Sequence, residues 1–186
     1  MINTSKISIL ETSLRDGSYV IDFQFTAHDT EVLSRALATS GIDMIEIGHG
    51  LGINASSSHG NAAATDIEYV QAARRGAGNA KIGMFCIPGI ATLDHLRACI
   101  DAGLQFVRIG VNVDQHGESE AFVAEACRHG LFVCTNFMKS YVMNPQKFAK
   151  IVKISADYGS HAVYLVDSAG GMVPDEVERY IHAIRD

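Results

Sequence analysis

The sequence contains no tryptophan, only three prolines and only four cysteines among its 186 residues. The cysteines are too few and too widely spaced for a disulfide framework, and none forms the Cys-x-x-Cys pair typical of structural zinc. We therefore expect all four to pack as small apolar side chains in a reducing cytoplasm. They are Cys86, Cys99, Cys127 and Cys134.

Basic residues are also scarce, because 15 Lys and Arg stand against 21 Asp and Glu, for a net charge of -6. Without a basic stripe, nucleic-acid binding is not expected. No apolar run reaches the roughly 18 residues of a membrane span, and the N-terminus lacks the long apolar region of a signal peptide. A composition of 47% hydrophobic and 19% charged residues suits a folded cytoplasmic enzyme.

What the chain does have is a β-type run, a polar loop and an amphipathic helical segment that recur six times. Alternation of strand and helix periods indicates βαβ units and a parallel sheet. The predicted helices are 27–40, 65–75, 91–102, 118–129, 144–158 and 174–185. The predicted strands are Ile7–Glu11, Met44–Gly48, Ile82–Ile87, Phe106–Val111, Phe132–Met138 and Ala162–Val166.

Helix boundaries carry their own signals. Thr26 and Thr65 are suited to cap helix N-termini, and Pro145 and Pro174 stand where a missing N–H costs least. Glycines that follow the predicted helices are typical of left-handed C-terminal caps. These glycines are Gly41, Gly103, Gly130 and Gly159.

A doubly wound sheet and a (β/α) barrel both give this alternation, and the strand ends favour the barrel. In a barrel, residues that follow every strand converge on one mouth, whereas a doubly wound sheet concentrates its chemistry at one switch point. A complete barrel has eight units, so we expect residues 1–186 to form a single TIM-type (β/α) barrel domain that lacks the last two units. The polar residues at the strand ends are Arg15, Asp16, His49, Asn112, Asp114, Asn136, Lys139, Asp167 and Ser168.

The first candidate site is Arg15-Asp16-Gly17, directly after the first predicted strand. At a strand end, Arg15 can bind a substrate oxyanion and Asp16 can bind a divalent cation nearby. Gly17 allows the backbone to turn sharply and leaves room for a ligand. The three residues together predict a metal-dependent site for a carbonyl substrate.

The second candidate site combines Glu46, within the second predicted strand, with His49, just after it. A carboxylate on a buried strand needs a partner, and Arg15 is the natural candidate. His49 can act as an acid, a base or a hydrogen-bond donor to a carbonyl. The glycines around His49 lack the Gly-x-Gly-x-x-Gly spacing, so nucleotide binding is not expected here.

The third candidate site is Ser168, in the glycine-rich loop after the sixth predicted strand. Its hydroxyl and the neighbouring backbone N–H groups suit the carboxylate of a 2-oxo acid. A nucleophilic role is not expected, because no Gly-x-Ser-x-Gly elbow surrounds this serine.

Several segments in one register resemble the metal-dependent 4-hydroxy-2-oxovalerate aldolase family, whose superfamily includes 2-isopropylmalate synthase and 3-hydroxy-3-methylglutaryl-CoA lyase. The resemblance implies a (β/α) barrel, a divalent metal and retro-aldol cleavage to pyruvate and an aldehyde. The metal it implies is usually Mn²⁺, with Mg²⁺ or Co²⁺ as alternatives. The matching segments are Thr12–Gly17, Ile45–Gly50, Ser56-Ser57, Thr65-Asp66, Pro88–Ile90 and Val166–Ser168.

The resemblance also implies a role for each site residue. Asp16 is expected to bind the metal, and Arg15 is expected to stabilise the pyruvate enolate. Ser168 is expected to hold the substrate carboxylate, and His49 to line the pocket. Glu46 and Gly17 complete the predicted substrate pocket.

Three departures from the family pattern stand out. Tyr19 occupies the position where the aldolases carry a histidine as proton-transfer base, and a tyrosine with a pKa of about 10 is a poor base at neutral pH. Leu51 replaces an acidic residue of the family. The His-x-His pair that supplies the other two metal ligands is absent, so we expect these 186 residues alone to be weak or inactive.

Two other functions remain open at this point. One is a Claisen-type synthase of the same superfamily that condenses an acyl-CoA with a 2-oxo acid, although no segment marks an acyl-CoA site. The other is a truncated barrel that serves as a non-catalytic binding or assembly module. Exposed edge strands favour a homo-oligomer, and the family resemblance implies an acylating aldehyde dehydrogenase as a partner.

Overall fold

The computed structural model describes residues 8–185. Six parallel strands alternate with six helices, and the strands follow the chain order from β1 to β6. The prediction of an incomplete TIM-type barrel is therefore confirmed. The strands are β1 (Leu10–Glu11), β2 (Met44–Ile47), β3 (Lys81–Cys86), β4 (Phe106–Asn112), β5 (Phe132–Met138) and β6 (Ala162–Leu165).

The helices begin and end within two residues of the predicted bounds. Thr26 and Thr65 both form capping boxes, in which the threonine accepts from one backbone N–H and a carboxylate three residues later accepts from the threonine's own N–H. The four predicted glycine caps all have positive φ. The helices are α1 (Ala27–Thr39), α2 (Asp66–Gly76), α3 (Leu93–Asp101), α4 (Glu120–Arg128), α5 (Pro145–Tyr158) and α6 (Pro174–Arg185).

The first strand is shorter than predicted. It pairs with β2 only through Leu10 and Glu11, opposite Met44 and Ile45. Ile7, the predicted first residue of this strand, lies outside the described residues.

The described residues group into two compact units. Unit 1 contains the chain up to Phe85 together with Arg97–Gln105, and unit 2 contains Cys86–Leu96 and the chain from Phe106 onward. The single-domain organisation expected from the sequence stays a prediction.

In unit 1, the interior is formed by β2 and β3 together with the buried face of α2. All four residues of β2 are buried, as expected for a parallel strand covered on both faces. The largest fully buried side chains of this unit include Ile45, Ile47, Ile53, Tyr69, Ile82 and Met84.

In unit 2, β4 and β5 pair along seven residues each, from Phe106 opposite Phe132 to Asn112 opposite Met138. An apolar cluster packs α5 and α6 beside these strands, with Phe148 edge-on to both Phe137 and Tyr180. Burial of such aromatic side chains is a main source of stability in a unit of this size.

The cysteines are free thiols, as predicted. Cys86, Cys99 and Cys134 are buried, whereas Cys127 is half-buried and its Sγ donates to the carbonyl of Gly159. No helix among residues 8–185 combines the length and apolar character that crossing a bilayer requires.

The loop after β2 approaches β3 so closely that it requires a glycine. Gly52 has a φ of +90°, and a Cβ there would lie 2.1 Å from the carbonyl oxygen of Phe85. The same carbonyl accepts a hydrogen bond from the N–H of Ile53 at 2.9 Å. Because both groups are backbone, neither can move aside without breaking the contact between loop and strand.

We expect Gly52→Ala to lower the free energy of unfolding by about 2 kcal/mol more than Gly41→Ala, because overpacking against fixed atoms costs about 1–3 kcal/mol. Gly41 is a matched control, since its φ is +89° and a Cβ there would meet no atom within 4 Å. Urea unfolding of the two variants measures the difference. Equal destabilisation would show that the left-handed backbone, and not the contact with Phe85, requires the glycine.

Candidate active site

Arg15 is the centre of the candidate site in unit 1. Its Nε donates to Oε2 of Glu46 at 2.7 Å, which confirms the predicted pairing of these two residues. Its Nη1 donates to Oδ1 of Asp16 at 2.7 Å and to the carbonyl of Gly50 at 3.2 Å. Three partners, one each from a 3-10 helix, a strand and a loop, therefore hold the guanidinium in a single orientation.

The remaining nitrogen of this guanidinium is available to a ligand. Nη2 of Arg15 has no hydrogen-bond partner among residues 8–185, and the planar group lies over the ring of Phe85, 5.0 Å from its centroid. Glu46 is fully buried on β2, so water does not screen its attraction for Arg15. Glu46 thus contacts Arg15 and positions it.

Asp16 and Gly17 lie in a short 3-10 helix that begins directly after Arg15. The Asp16 side chain is 62% exposed and pairs with Arg15, and its predicted role as a metal ligand stays a prediction. Gly17 differs from expectation, because its φ is not positive and a Cβ there would meet only Ser13, at 3.7 Å. The chain does turn here, through the 3-10 helix, but without the positive φ that glycine adopts most readily. The left-handed backbone instead comes at Asp22 and Phe23.

Tyr19 lies on the same 3-10 helix and packs against Gly50. A Cβ at Gly50 would lie 2.5 Å from the Tyr19 ring, so the absence of a side chain lets the ring lie flat against this loop. Tyr19 is still 45% exposed. Partial burial raises the pKa of its phenol, Arg15 lowers it and Asp16 raises it. The phenol is therefore neutral and protonated near pH 7.

His49 is buried in the loop after β2, and both of its ring nitrogens have partners. Its Nδ1 accepts from the N–H of Leu51 at 3.1 Å, which leaves the proton on Nε2 to donate to the carbonyl of Gly60. Its ring stacks on Phe23 with 3.7 Å between centroids. Burial lowers the pKa of His49, so the imidazole is neutral near pH 7. This arrangement favours a role in holding the loop over the acid–base role that the sequence suggests.

Other motif residues also hold the loop between β2 and α2. The Oδ2 atom of Asp66 accepts from the N–H of Asn54 at 2.7 Å. The Oγ atom of Ser56 accepts from the N–H of Ala62 at 3.2 Å. These bonds close the loop on itself and fix the position of the Gly50 carbonyl that Arg15 contacts.

Ser168 lies in unit 2, in the exposed loop that follows β6. Its Oγ accepts from the N–H of Lys139 at 3.0 Å, which leaves the hydroxyl proton free to donate to a ligand. Lys139 follows β5 directly and has a left-handed backbone with a φ of 56°. Asp167 folds the same loop by accepting from the N–H of Met172 at 2.7 Å, and these backbone bonds lower its pKa.

The divalent metal implied by the resemblance needs more ligands than these residues supply. Within residues 8–185, no group of three or more His, Cys, Asp or Glu side chains is placed to hold a metal ion. Asp16, the one residue assigned to the metal, has its Oδ1 bonded to Arg15. A lone monodentate carboxylate does not fit a tightly held Mn²⁺.

The family model of HMGL-like proteins matches residues 6–186. The chain belongs to the HMGL-like family. It is 41% identical over 183 residues to 4-hydroxy-2-oxovalerate aldolase 2 of Rhodococcus jostii (strain RHA1). The matched segment covers 98% of this chain and 53% of the relative. It is 37% identical over 177 residues to an oxaloacetate decarboxylase of Mycobacterium tuberculosis (strain ATCC 25618 / H37Rv), with coverage of 95% and 52%.

The HMGL-like chain thus spans about half the length of these curated relatives. Among solved structures, it is similar to the carboxyl transferase domain of pyruvate carboxylase from Rhizobium etli, with a TM-score of 0.78 and 13% identity. That match covers 98% of this chain and 34% of the other. At this identity the likeness shows the fold alone.

No pattern in the sequence pointed to two residues of the candidate site in unit 1. Phe85 supports the face of the Arg15 guanidinium, and Phe23 stacks on His49. Neither has a local signal, because the contacts join residues 70 and 26 positions apart in the chain. The apolar cavity of about 330 Å³ between Ile21 and Leu33 contains none of the predicted site residues.

His49 gives a testable dependence of stability on pH. An unfolded histidine titrates at about 6.5, whereas burial lowers the pKa of His49 in the folded chain. As the pH falls below about 6.5, the unfolded state binds the proton first, so the free energy of unfolding falls. The contribution of neutral His49 to the free energy of unfolding is therefore fully present above a pH of about 6.5, and it is lost as the pH falls further.

We expect His49→Asn to flatten this acid-side loss of stability, measured by urea unfolding at a series of pH values. The matched control is His28→Asn, because His28 is exposed on α1. A profile for His49→Asn as steep as that of the control would contradict the assignment of a neutral, buried His49.

Proposed function

We propose that this chain forms part of an aldolase that cleaves a 4-hydroxy-2-oxo acid to pyruvate and an aldehyde. The supporting observation is the orientation of Arg15, which three partners fix while Nη2 stays available to an oxyanion. Similarity to the Rhodococcus jostii aldolase supports the same substrate class.

Arg15 acts on the charge that develops during cleavage. When the bond between C3 and C4 breaks, its electrons form the enolate of pyruvate, with negative charge on the C2 oxygen. A guanidinium already held in place stabilises this charge without reorganising, which is the most effective form of electrostatic catalysis. Glu46 and Gly50 hold Arg15 in that position, and Phe85 limits its movement from one face.

Tyr19 supplies a proton in this mechanism. Its phenol lies beside Gly50 and is protonated near pH 7, so it suits donation to C3 of the enolate, which gives pyruvate. The same property makes it a poor acceptor of the C4 hydroxyl proton during aldol cleavage. That proton therefore passes to solvent water, which also returns a proton to the phenolate of the half-exposed Tyr19 after C3 has been protonated.

The role of Ser168 of unit 2 in holding a substrate carboxylate stays a prediction from the sequence, and its hydroxyl proton is free to donate to a ligand. His49 keeps the loop after β2 in place through Leu51 and Gly60. A divalent metal on Asp16, an aldehyde dehydrogenase partner and self-association stay predictions from the sequence.

Tyr19 favours a second candidate function, the decarboxylation of oxaloacetate. In this reaction the bond between C3 and C4 breaks as CO2 leaves, and the electrons form the same pyruvate enolate. No hydroxyl proton has to be removed, so the only proton transfer is from Tyr19 to C3. A curated relative of this chain carries the name oxaloacetate decarboxylase.

We expect Arg15→Lys to lower kcat by about 10²–10³-fold with either substrate, because an ammonium cannot reproduce the fixed fork of bonds. Release of pyruvate by the longest natural polypeptide containing this sequence, with added Mn²⁺, measures the loss. Blanks without enzyme correct for spontaneous decarboxylation.

Arg35→Lys is the matched control, because Arg35 lies on α1 and its exposed guanidinium pairs with Glu31. Its kcat should match that of the unmodified protein. Full activity of Arg15→Lys would overturn the proposed role of this side chain. Cleavage of oxaloacetate but not of 4-hydroxy-2-oxo acids would select the decarboxylase.

A further inference from the structure

The loop between β1 and α1 contains two consecutive residues with left-handed backbone that are not glycine. Asp22 has a φ of 51° and Phe23 has a φ of 62°. A bulky aromatic residue rarely adopts this conformation, which costs free energy and persists only where surrounding contacts maintain it. Contacts around Phe23 must therefore stabilise its left-handed backbone.

Backbone hydrogen bonds hold Phe23 in this conformation from both sides. Its N–H donates to the carbonyl of Ser18 at 2.8 Å, and its own carbonyl accepts from the N–H of Ala63 at 3.2 Å. The side chain of Gln24 donates to the carbonyls of Asp22 and Asn61, both at 2.9 Å. The strained turn is thus tied to the loop after β2.

The strained backbone places the Phe23 ring among three residues of the site. The ring stacks on His49 with 3.7 Å between centroids and meets Tyr19 edge-on at 5.2 Å. A Cβ at Gly60 would lie 3.2 Å from the ring, so glycine at that position lets the ring approach the loop. A phenylalanine with ordinary backbone at position 23 would direct its ring elsewhere.

We propose that Phe23 is a positioning residue that holds the Tyr19 ring against Gly50, beside Arg15. The His49 imidazole stacks on the face of the Phe23 ring and forms a fixed surface there. The Tyr19 ring meets the Phe23 ring edge-on. Tyr19 in turn lies against Gly50, whose carbonyl accepts from Arg15. Phe23 therefore connects the buried histidine to the phenol that is proposed to deliver the proton.

This inference rests on the proposed function only where it concerns turnover. The placement of Tyr19 by Phe23 is a property of the folded chain and can be measured without substrate. The test therefore uses one measurement of Tyr19 itself and one of activity.

The first measurement is the titration of Tyr19, followed by the ultraviolet absorbance of the phenolate. The chain has no tryptophan and six tyrosines, and subtraction of the matching Tyr19→Phe variant isolates the signal of Tyr19. Partial burial raises the pKa of Tyr19. In Phe23→Leu, we expect this pKa to fall towards its ordinary value as the ring that shields the phenol is lost.

Phe25→Leu is the matched control, since Phe25 is a half-buried phenylalanine of the same loop with ordinary backbone. It should leave the pKa of Tyr19 unchanged. Phe23→Gly is the second variant, because glycine adopts the left-handed conformation freely and preserves folding without the ring. It should lower the pKa of Tyr19 as Phe23→Leu does.

The second measurement is release of pyruvate by the longest natural polypeptide containing this sequence. General acid catalysis contributes about 10²–10⁴-fold, so displacement of Tyr19 should lower kcat by about tenfold or more. KM should change little, because the rings that Phe23 meets belong to Tyr19 and His49, to which the proposed function assigns no substrate binding. Phe25→Leu should keep the unmodified kcat.

An unchanged pKa of Tyr19 in both Phe23 variants would overturn the inference, whatever the activity. A lowered pKa with unchanged kcat would support the positioning by Phe23 and overturn the assignment of proton donation to Tyr19. The two proposals therefore fail in different measurements.

Discussion

The ion pair between Arg15 and Glu46 connects the first loop of the chain to the interior of β2. Glu46 is fully buried, and Arg15 Nε lies 2.7 Å from its Oε2. Buried ion pairs add little net stability, since desolvation offsets most of the attraction. The main consequence of this pair is orientation, because a guanidinium that is fixed on one side presents its other side to a ligand.

The rest of the site in unit 1 is arranged around that orientation. Arg15 also reaches the carbonyl of Gly50, so the loop after β2 must keep its shape. His49 provides this by bonding to Leu51 and Gly60 with its two nitrogens. Phe23 then packs on His49 and connects it to Tyr19. A neutral imidazole is suited to this position, because a charge there would be both buried and without an acidic partner.

Local patterns predicted most of the fold. The capping boxes at Thr26 and Thr65 are visible in four residues of sequence, and the glycines after the helices are needed at the left-handed positions where they occur. The strand from Phe132 to Met138 has the predicted bounds. The position of Glu46 within a buried strand also predicted its pairing with Arg15, because a buried carboxylate needs a partner. Such features depend on neighbours in the chain or on the regular geometry of parallel strands.

The sequence by itself therefore determined the order of the βα units, the helix ends and the pairing of Arg15 with Glu46. Tertiary structure decided the backbone of Phe23, the two partners of His49 and the packing of Tyr19 on Gly50. The physical reason is the range of the contacts. A cap or a strand period is set within a few residues, whereas a left-handed phenylalanine is stable only when a distant loop supplies the ring that it stacks on.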